Sequence, residues 1–154
     1  MSYKKIMVAT DGSEASKNAV SKAIKLSECA NAKLIVLSVA DTSILDKSLL
    51  STKHFGQEKE LVEKLRALIN SIYLREAEAV EKDVNKDKRM HKEKVKLIVE
   101  TGRPADKILE VAKREKVDLL ILGAHGWTGV RKYLLGSVSS EVSQKAEQDL
   151  IIIR

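Results

Sequence analysis

The sequence predicts an α/β fold, an open and doubly wound sheet of five mostly parallel strands with helices on both faces. Short aliphatic runs alternate with helical patterns along the 154 residues, in the order β-α-β-α-β-α-β-α-β that is typical of parallel sheets. The runs are nearly continuous in apolar residues, as in strands that are covered on both faces. Aromatic residues make up only 3% of the chain, so we expect an aliphatic core.

The first part of the chain supplies two strands and a helix. Lys5–Thr10 is a short apolar run, and Asp11-Gly12-Ser13 ends it. Ser13 is a suitable N-cap for the helix that follows. The second strand is Lys33–Val39, and residues 40–55 form a polar loop. The apolar stripe of the helix consists of Ala19, Val20, Ala23, Ile24 and Ala30.

The rest of the chain continues the alternation. A long helix over about residues 57–88 is predicted because Leu61, Leu65, Leu68 and Ile72 recur at spacings of four, three and four. The remaining predicted elements are, in order, strand Val95–Val99, a helix with Pro104 in its first turn, strand Val117–Leu122, a helix from about residue 137, and strand Leu150–Ile153.

Length and composition predict one domain over residues 1–154. The single cysteine, Cys29, cannot form an intrachain disulfide, and we expect it to be buried. It suits a reducing compartment, and no signal-peptide pattern or membrane-length apolar run is present, so we predict a cytoplasmic protein without a membrane partner. Residues 82–96 hold seven Lys/Arg and three Asp/Glu. This basic cluster could attract a nucleic acid, but no aromatic residues are interleaved in it, so we interpret it as solvated surface.

Glycine is concentrated directly after the fourth predicted strand, where residues 123–136 hold four of the seven glycines. Ligands of open parallel sheets bind beyond the carboxyl ends of the strands, at the point where strand order reverses. If strands one and four are neighbours there, Asp11 and this segment face one crevice. Gly136 and Ser137 open a helix whose free N–H groups suit phosphate, and Ser137 and Ser139 add hydroxyl donors. Alternatively, the glycines serve only turns and Ser137 only caps the helix.

The spacing Gly-x2-Gly-x9-Gly-Ser, formed by Gly123, Gly126, Gly136 and Ser137, together with the opening Ile6–Ser13, resembles the universal stress protein family and specifically its ATP-binding branch. The resemblance covers essentially the whole chain. It implies an adenine nucleotide alpha-hydrolase-like, Rossmann-like architecture. It also implies ATP as the ligand, with Mg²⁺ or Mn²⁺ held mainly by the phosphates rather than by a protein metal site.

The resemblance further implies a role for each matching residue. Asp11 would lie by the ribose, although from the residues alone it could merely help to cap the first helix. Val39 would contact adenine through its backbone. The residues implied to surround the nucleoside are Ala9, Thr10, Asp11, Val39, Leu122 and Gly123. Those implied to bind the phosphates are Gly126, Gly136, Ser137, Val138 and Ser139.

Two positions in the glycine segment depart from the family pattern. Ala124 stands where Ser or Thr is frequent, and Trp127 stands where Arg or Lys is common. Arg131 and Lys132 are candidates to supply the missing charge. We assign no catalytic residue, because His125 has no partner carboxylate nearby in the sequence.

Three functions remain open from the sequence. The first is a nucleotide-binding regulatory module that signals through an unidentified protein partner and hydrolyses ATP slowly at most. The second is an ATPase or nucleotidyl-transfer enzyme, and the third is an interaction protein with a vestigial pocket. The intact Gly126 and Gly136 argue against the third. The aliphatic strand Leu150–Ile153 is expected at a sheet edge, where it favours pairing with another chain, and the resemblance implies a homodimer formed there.

Overall fold

A computed structural model describes residues 3–42, 94–126 and 134–154, together with helical residues at positions 60, 63–65, 67–69, 71, 74–75, 78–79 and 82. The described strands are β1 (Lys5–Thr10), β2 (Lys33–Ala40), β3 (Val95–Thr101), β4 (Leu119–Gly123) and β5 (Asp149–Ile153). The helices with defined bounds are α1 (Glu14–Ala30), α2 (Pro104–Glu115) and α3 (Ser137–Lys145).

The strands form one sheet in the order β3-β2-β1-β4-β5. Each of the described strand pairings is parallel, which confirms the predicted sheet. β1 pairs with β2 on one side and with β4 on the other. Strand order therefore reverses at β1, and the carboxyl ends of β1 and β4 lie side by side as predicted.

Helices cover both faces of the sheet. On one face, Ile6 and Val8 of β1 pack in a buried cluster that includes Ala19 and Ala23 of α1. On the other face, the cluster contains side chains from the sheet and from helices α2 and α3: Met7, Ile35, Leu37, Val39, Ile108, Val111, Leu120, Leu122 and Val142. Because both faces are buried, neighbouring residues of a strand are both apolar, as the continuous aliphatic runs indicated.

The helix ends follow the local sequence. The Ser13 hydroxyl oxygen accepts a hydrogen bond from the N–H of Ser16 at 3.3 Å, which caps α1 as predicted. α2 begins at Pro104, whose missing N–H costs nothing in a first turn. α1 and α2 end at Asn31 and Lys116, both in the left-handed conformation that closes helices.

The last turn of α1 does not follow the prediction. Cys29 is exposed, so the prediction that it is buried was wrong. The buried face of α1 runs through Ala23 and Ser27, and a residue two positions beyond Ser27 lies about 200° further around the axis.

The long helix is confirmed at the described positions between 60 and 82. Within it, Leu65 and Leu68 are 38% and 57% exposed.

The other positions of the predicted helix over residues 57–88, and residues 43–55 of the predicted loop, lie outside the described residues. Within the part of the chain that the structure describes, no helix is both long and apolar enough to cross a bilayer.

Candidate functional site

A cavity of about 280 Å³ opens at the carboxyl ends of β1, β2 and β4. It is lined by every residue that the family resemblance implied for the nucleotide: Ala9, Thr10, Asp11, Val39, Leu122, Gly123, Gly126, Gly136, Ser137, Val138 and Ser139. The lining also includes Ser16, Asp41, Pro104, Ile108 and His125. The fold thus brings the end of β1 and both halves of the glycine segment to one place, which is the juxtaposition that the switch-point hypothesis required.

The turn after β1 fixes the Asp11 carboxylate. Asp11 Oδ1 accepts a hydrogen bond from the N–H of Ser13 at 3.0 Å, and the N–H of Gly12 donates to Thr10 Oγ1 at 3.2 Å. The other oxygen, Oδ2, lies beside Gly126, where a Cβ atom would be only 2.8 Å from it. Asp11 therefore organises the entry into α1 with one oxygen and lines the cavity beside Gly126, so the two interpretations of this residue are compatible.

The end of β4 is pressed against the first turn of α1. A Cβ atom at Gly123 would lie 2.9 Å from the carbonyl carbon of Ala15 and 2.9 Å from the nitrogen of Ser16. Real Cβ atoms do not approach backbone so closely, so only glycine allows α1 to start where it does. The Ser13 hydroxyl also donates to the His125 carbonyl at 3.4 Å, which ties the start of α1 to the glycine segment.

The N-terminus of α3 carries no side-chain cap, because its N-cap residue is Gly136. The first bond of the helix runs from the N–H of Ser140 to the Gly136 carbonyl. The N–H groups of Ser137, Val138 and Ser139 therefore have no acceptor within the helix. They stand at the positive end of the helix dipole and belong to residues that line the cavity. This end of the cavity is suited to an anion.

The two serines of this helix end differ. Ser139 is buried. Its hydroxyl lies within donating distance of two carbonyl oxygens, that of Ala124 at 2.9 Å and that of Gly136 at 3.0 Å. The N–H of Gly136 also donates to the Ala124 carbonyl, at 2.7 Å. Ser137 is exposed. The Ser139 hydroxyl therefore anchors α3 inside the protein, whereas the Ser137 hydroxyl is accessible from the cavity.

An ion-pair network joins α2 to α3 beside the cavity. Arg103, the N-cap residue of α2, donates to both carboxylate oxygens of Glu141 on α3, with Nη1 to Oε1 at 2.8 Å. Lys145 also donates to Glu141, at 2.7 Å. The hydrogen bonds from Arg103 and then from Lys145 lower the pKa of Glu141 to about 2. The network connects two helices that both contribute lining residues, Pro104 on α2 and Val138 on α3.

The charged groups of the cavity are acidic. Among the described lining residues, the titratable side chains are Asp11, Asp41 and His125, and there is no lysine or arginine. Within the described ranges, no three His, Cys, Asp or Glu side chains lie together as metal ligands. The sequence analysis named Trp127 as a departure from the family pattern and Arg131 and Lys132 as candidates for the missing positive charge. All three lie outside the described residues.

Five lining residues were not predicted for the site: His125 lies within the glycine segment, and the other four lie elsewhere in the chain. Pro104 and Ile108 are four residues apart on α2, so they share a face that meets the cavity. Asp41 lies two residues beyond Val39, which is the spacing of one face of a strand. Ser16 lies in the first turn of α1. The spacing signals for Asp41 and Ile108 were present, but only the packing of α2 on β2 shows that they meet.

Comparison with known proteins agrees with this arrangement. A family model described as the universal stress protein family matches residues 2–154. The chain is similar to universal stress protein YxiE of Bacillus subtilis, at 32% identity over 160 residues and 99% of each chain. It is also similar to universal stress protein MJ0577 of Methanocaldococcus jannaschii, at 28% identity over 154 residues, covering 99% of this chain and 95% of the relative.

Solved structures show the same likeness. The structure of MJ0577 has a TM-score of 0.82 at 27% identity, covering 99% of this chain and 96% of that one. A universal stress protein in complex with cAMP has a TM-score of 0.64 at 25% identity, covering 100% and 98% of the two chains. The family match spans nearly the whole chain, and the solved relatives share its architecture. This chain belongs to the universal stress protein family.

Proposed function

We propose that this chain binds ATP in the cavity at the carboxyl ends of β1, β2 and β4. In this proposal it acts as a nucleotide-binding regulatory module in a stress response and hydrolyses ATP slowly at most. The observation that supports it is the uncapped N-terminus of α3, whose free N–H groups belong to cavity-lining residues at the Gly136-Ser137 end of the glycine motif. Such helix ends are suited to phosphate. The cAMP complex of a structural relative shows that a protein with this architecture binds a nucleotide.

The order of the strand ends suggests how the nucleotide would lie. β2, β1 and β4 are consecutive in the sheet, and neighbouring strands are about 4.8 Å apart. The adenine would contact the end of β2 at Val39, and the ribose would lie over β1 at Asp11. The phosphates would reach Gly126 and the start of α3. The distance from β2 to β4, about 10 Å, is comparable to the length of a nucleoside.

A Mg²⁺ or Mn²⁺ ion would enter with the triphosphate. Both ions prefer oxygen ligands, and the phosphates supply most of them in this proposal. The Asp11 carboxylate beside Gly126 would supply one further oxygen ligand for the ion. When bound, the ion would neutralise phosphate charge in a cavity whose described lining residues include no lysine or arginine.

The proposal can be tested by equilibrium binding of ATP, with and without Mg²⁺, to the parent and to Ser137→Asp. A carboxylate in the first turn favours the helix through its dipole but repels phosphate at the same place. We expect saturable binding by the parent and at least a tenfold loss in Ser137→Asp, about 1.4 kcal/mol, with no loss of thermal stability. Ser143→Asp, at an exposed position further along α3, makes the same charge change away from the cavity and should retain binding.

Two results would reject the proposal. If the parent shows no saturable binding at millimolar ATP, the cavity is vestigial. Steady turnover at ordinary enzymatic rates, about 1–1000 per second, would instead favour an ATPase or nucleotidyl-transfer enzyme.

The proposal extends to the assembly and location of the chain. We propose one domain over residues 1–154 that forms a homodimer through Leu150–Ile153. β5 is the last strand of the sheet, and Ile151 on it is 37% exposed; aliphatic edge strands favour pairing with another chain. The single cysteine is consistent with a cytoplasmic location, where an unidentified protein partner would read the nucleotide state.

A further inference from the structure

The ion pair between α2 and α3 lies at the rim of the cavity. Arg103 directly precedes Pro104, which lines the cavity. On α3, Glu141 follows Ser137 by four residues and Val138 by three, and both of these residues line the cavity. With about 100° of rotation per residue, Glu141 lies on the helix face between them. The Arg103 guanidinium is therefore held about one helical turn from the anion-suited start of α3.

The contact that holds Arg103 is easily given up. Its side chain is 51% exposed, and ion pairs of exposed groups contribute little to stability. Glu141 has a second cation, Lys145, at 2.7 Å. The other partner of Arg103, Asp106 at 3.1 Å, lies in the first turn of α2, where the helix dipole stabilises a carboxylate. Arg103 can therefore leave both carboxylates without leaving either of them uncompensated.

A nucleoside triphosphate brings more negative charge than the described lining residues can meet. The free N–H groups at the start of α3 suit one phosphate group, and the described lining includes no lysine or arginine for the next. The guanidinium fork that pairs with a carboxylate matches a phosphate in the same bidentate geometry. A second or third phosphate at this end of the cavity therefore competes with Glu141 for Arg103.

We propose that Arg103 exchanges Glu141 for a phosphate beyond the first, so that the ion pair between α2 and α3 is open with ATP and closed with AMP. This inference rests on the proposed nucleotide-binding function, and it identifies Arg103 as the residue that distinguishes a triphosphate from a monophosphate. The ion pair is then an element with two states whose populations the ligand shifts. A partner protein that binds both helices would detect the difference.

The test measures the affinities of Mg-ATP and of AMP for the parent, Arg103→Gln and Glu141→Gln. Arg103→Gln removes the phosphate ligand, so ATP affinity should fall about tenfold. Glu141→Gln removes the competitor, so ATP affinity should rise, by up to about fivefold, the equivalent of one exposed ion pair. AMP affinity should stay within about twofold of the parent in both variants, because the single phosphate is held by the start of α3.

Arg114→Gln is the matched control. It removes the same charge and an exposed ion pair of the same kind, with Glu100, from the last turn of α2. Arg114 is not among the described residues that line the cavity. This variant should bind ATP and AMP as the parent does.

The opposite signs separate an exchange from a purely structural contact. If the ion pair only holds α2 against α3, both substitutions break it and should change ATP affinity in the same direction. That result, or an equal loss for ATP and AMP in Arg103→Gln, would overturn the inference while leaving nucleotide binding intact. Failure of the parent to bind ATP would instead reject the proposed function.

A second measurement follows the Arg103 side chain itself. Its Nε–H signal in a proton–nitrogen NMR spectrum of the parent is assigned by its absence in Arg103→Gln. The signal should shift on saturation with Mg-ATP, because the acceptor of the guanidinium changes, and should stay near its ligand-free position with AMP. A signal that does not move at saturating ATP would overturn the exchange.

Discussion

The two serines at the start of α3 give a sharp prediction, because one hydroxyl is used inside the protein and the other is not. Ser139 is 3% exposed and its hydroxyl donates to the Ala124 carbonyl at 2.9 Å. Ser137 is exposed at the cavity. We predict that Ser139→Ala lowers stability with little effect on ATP affinity, and that Ser137→Ala does the reverse.

The magnitude for Ser139→Ala follows from its contacts. The substitution removes one buried hydrogen bond, which contributes about 0.5–1.5 kcal/mol. It leaves no orphaned acceptor, because the Ala124 carbonyl keeps the N–H of Gly136 at 2.7 Å. The free energy of unfolding should therefore fall by about 1 kcal/mol rather than by about 3. For a chain of this size the corresponding fall in Tm is about 2–4 °C.

For Ser137→Ala we expect stability within about 0.5 kcal/mol of the parent, as for most surface substitutions. ATP affinity should fall by about tenfold or more, because a hydrogen bond to a charged group such as phosphate contributes about 1.5–3 kcal/mol. Urea unfolding without nucleotide measures the first quantity, and titration calorimetry with Mg-ATP measures the second. If Ser139→Ala is as stable as the parent but loses tenfold or more in ATP affinity, its hydroxyl serves the ligand and the reasoning is refuted.

Three further predictions concern packing, charge and assembly. Gly123→Ala should destabilise by about 1–3 kcal/mol, because its Cβ would meet the backbone of Ala15 at 2.9 Å; parent-like urea unfolding would contradict this. The pKa of Glu141 is lowered to about 2, first of all by the Arg103 hydrogen bond, so its contribution to stability is present above its ordinary pKa of 4.5 and is lost as pH falls towards 2. Glu141→Gln should therefore flatten the dependence of Tm on pH in that window, and an unchanged slope would count against the ion pair. Ile151→Lys should convert the proposed dimer to a monomer by light scattering, whereas a parent mass that is monomeric at all concentrations would rule the dimer out.

Much of the fold could be predicted because its signals are local. A strand buried on both faces needs a continuous aliphatic run, and a capped helix needs a residue such as Ser13. The limit of this reasoning is visible at Val117, which the sequence placed in the fourth strand. Val117 is buried, but its N–H donates to the Ala112 carbonyl and closes the end of α2. Its apolar character therefore belongs to a helix end, and β4 begins at Leu119.

The candidate site was predictable where it depends on strand ends and not where it depends on helix packing. Asp11 and the glycine segment follow strands directly, so the switch-point rule could bring them together. Pro104 and Ile108 reach the cavity only because α2 packs over β2, a contact between residues more than 60 positions apart. The exposure of Cys29 was missed for a related reason, since α1 buries a single narrow face and its last turn offers several apolar candidates.

The glycine motif itself has an explanation within the protein before any ligand is considered. A Cβ at Gly123 would meet α1, and one at Gly126 would meet Asp11, at 2.9 Å and 2.8 Å. A vestigial cavity with the same packing would keep Gly123, which faces backbone, so Gly123 does not discriminate a binding site from a remnant. The atom that faces Gly126 is the end of the Asp11 side chain, which can move aside, so packing requires this glycine less strictly. Gly136 differs, because its φ of −64° and ψ of 162° suit any residue and its Cβ would come no closer than 3.3 Å to the Ala124 carbonyl. Neither conformation nor severe crowding requires glycine there, and Ser, Asp or Asn would cap α3 at least as well. Glycine at this position leaves the N–H groups of the helix uncovered, which benefits an anionic ligand and not the helix.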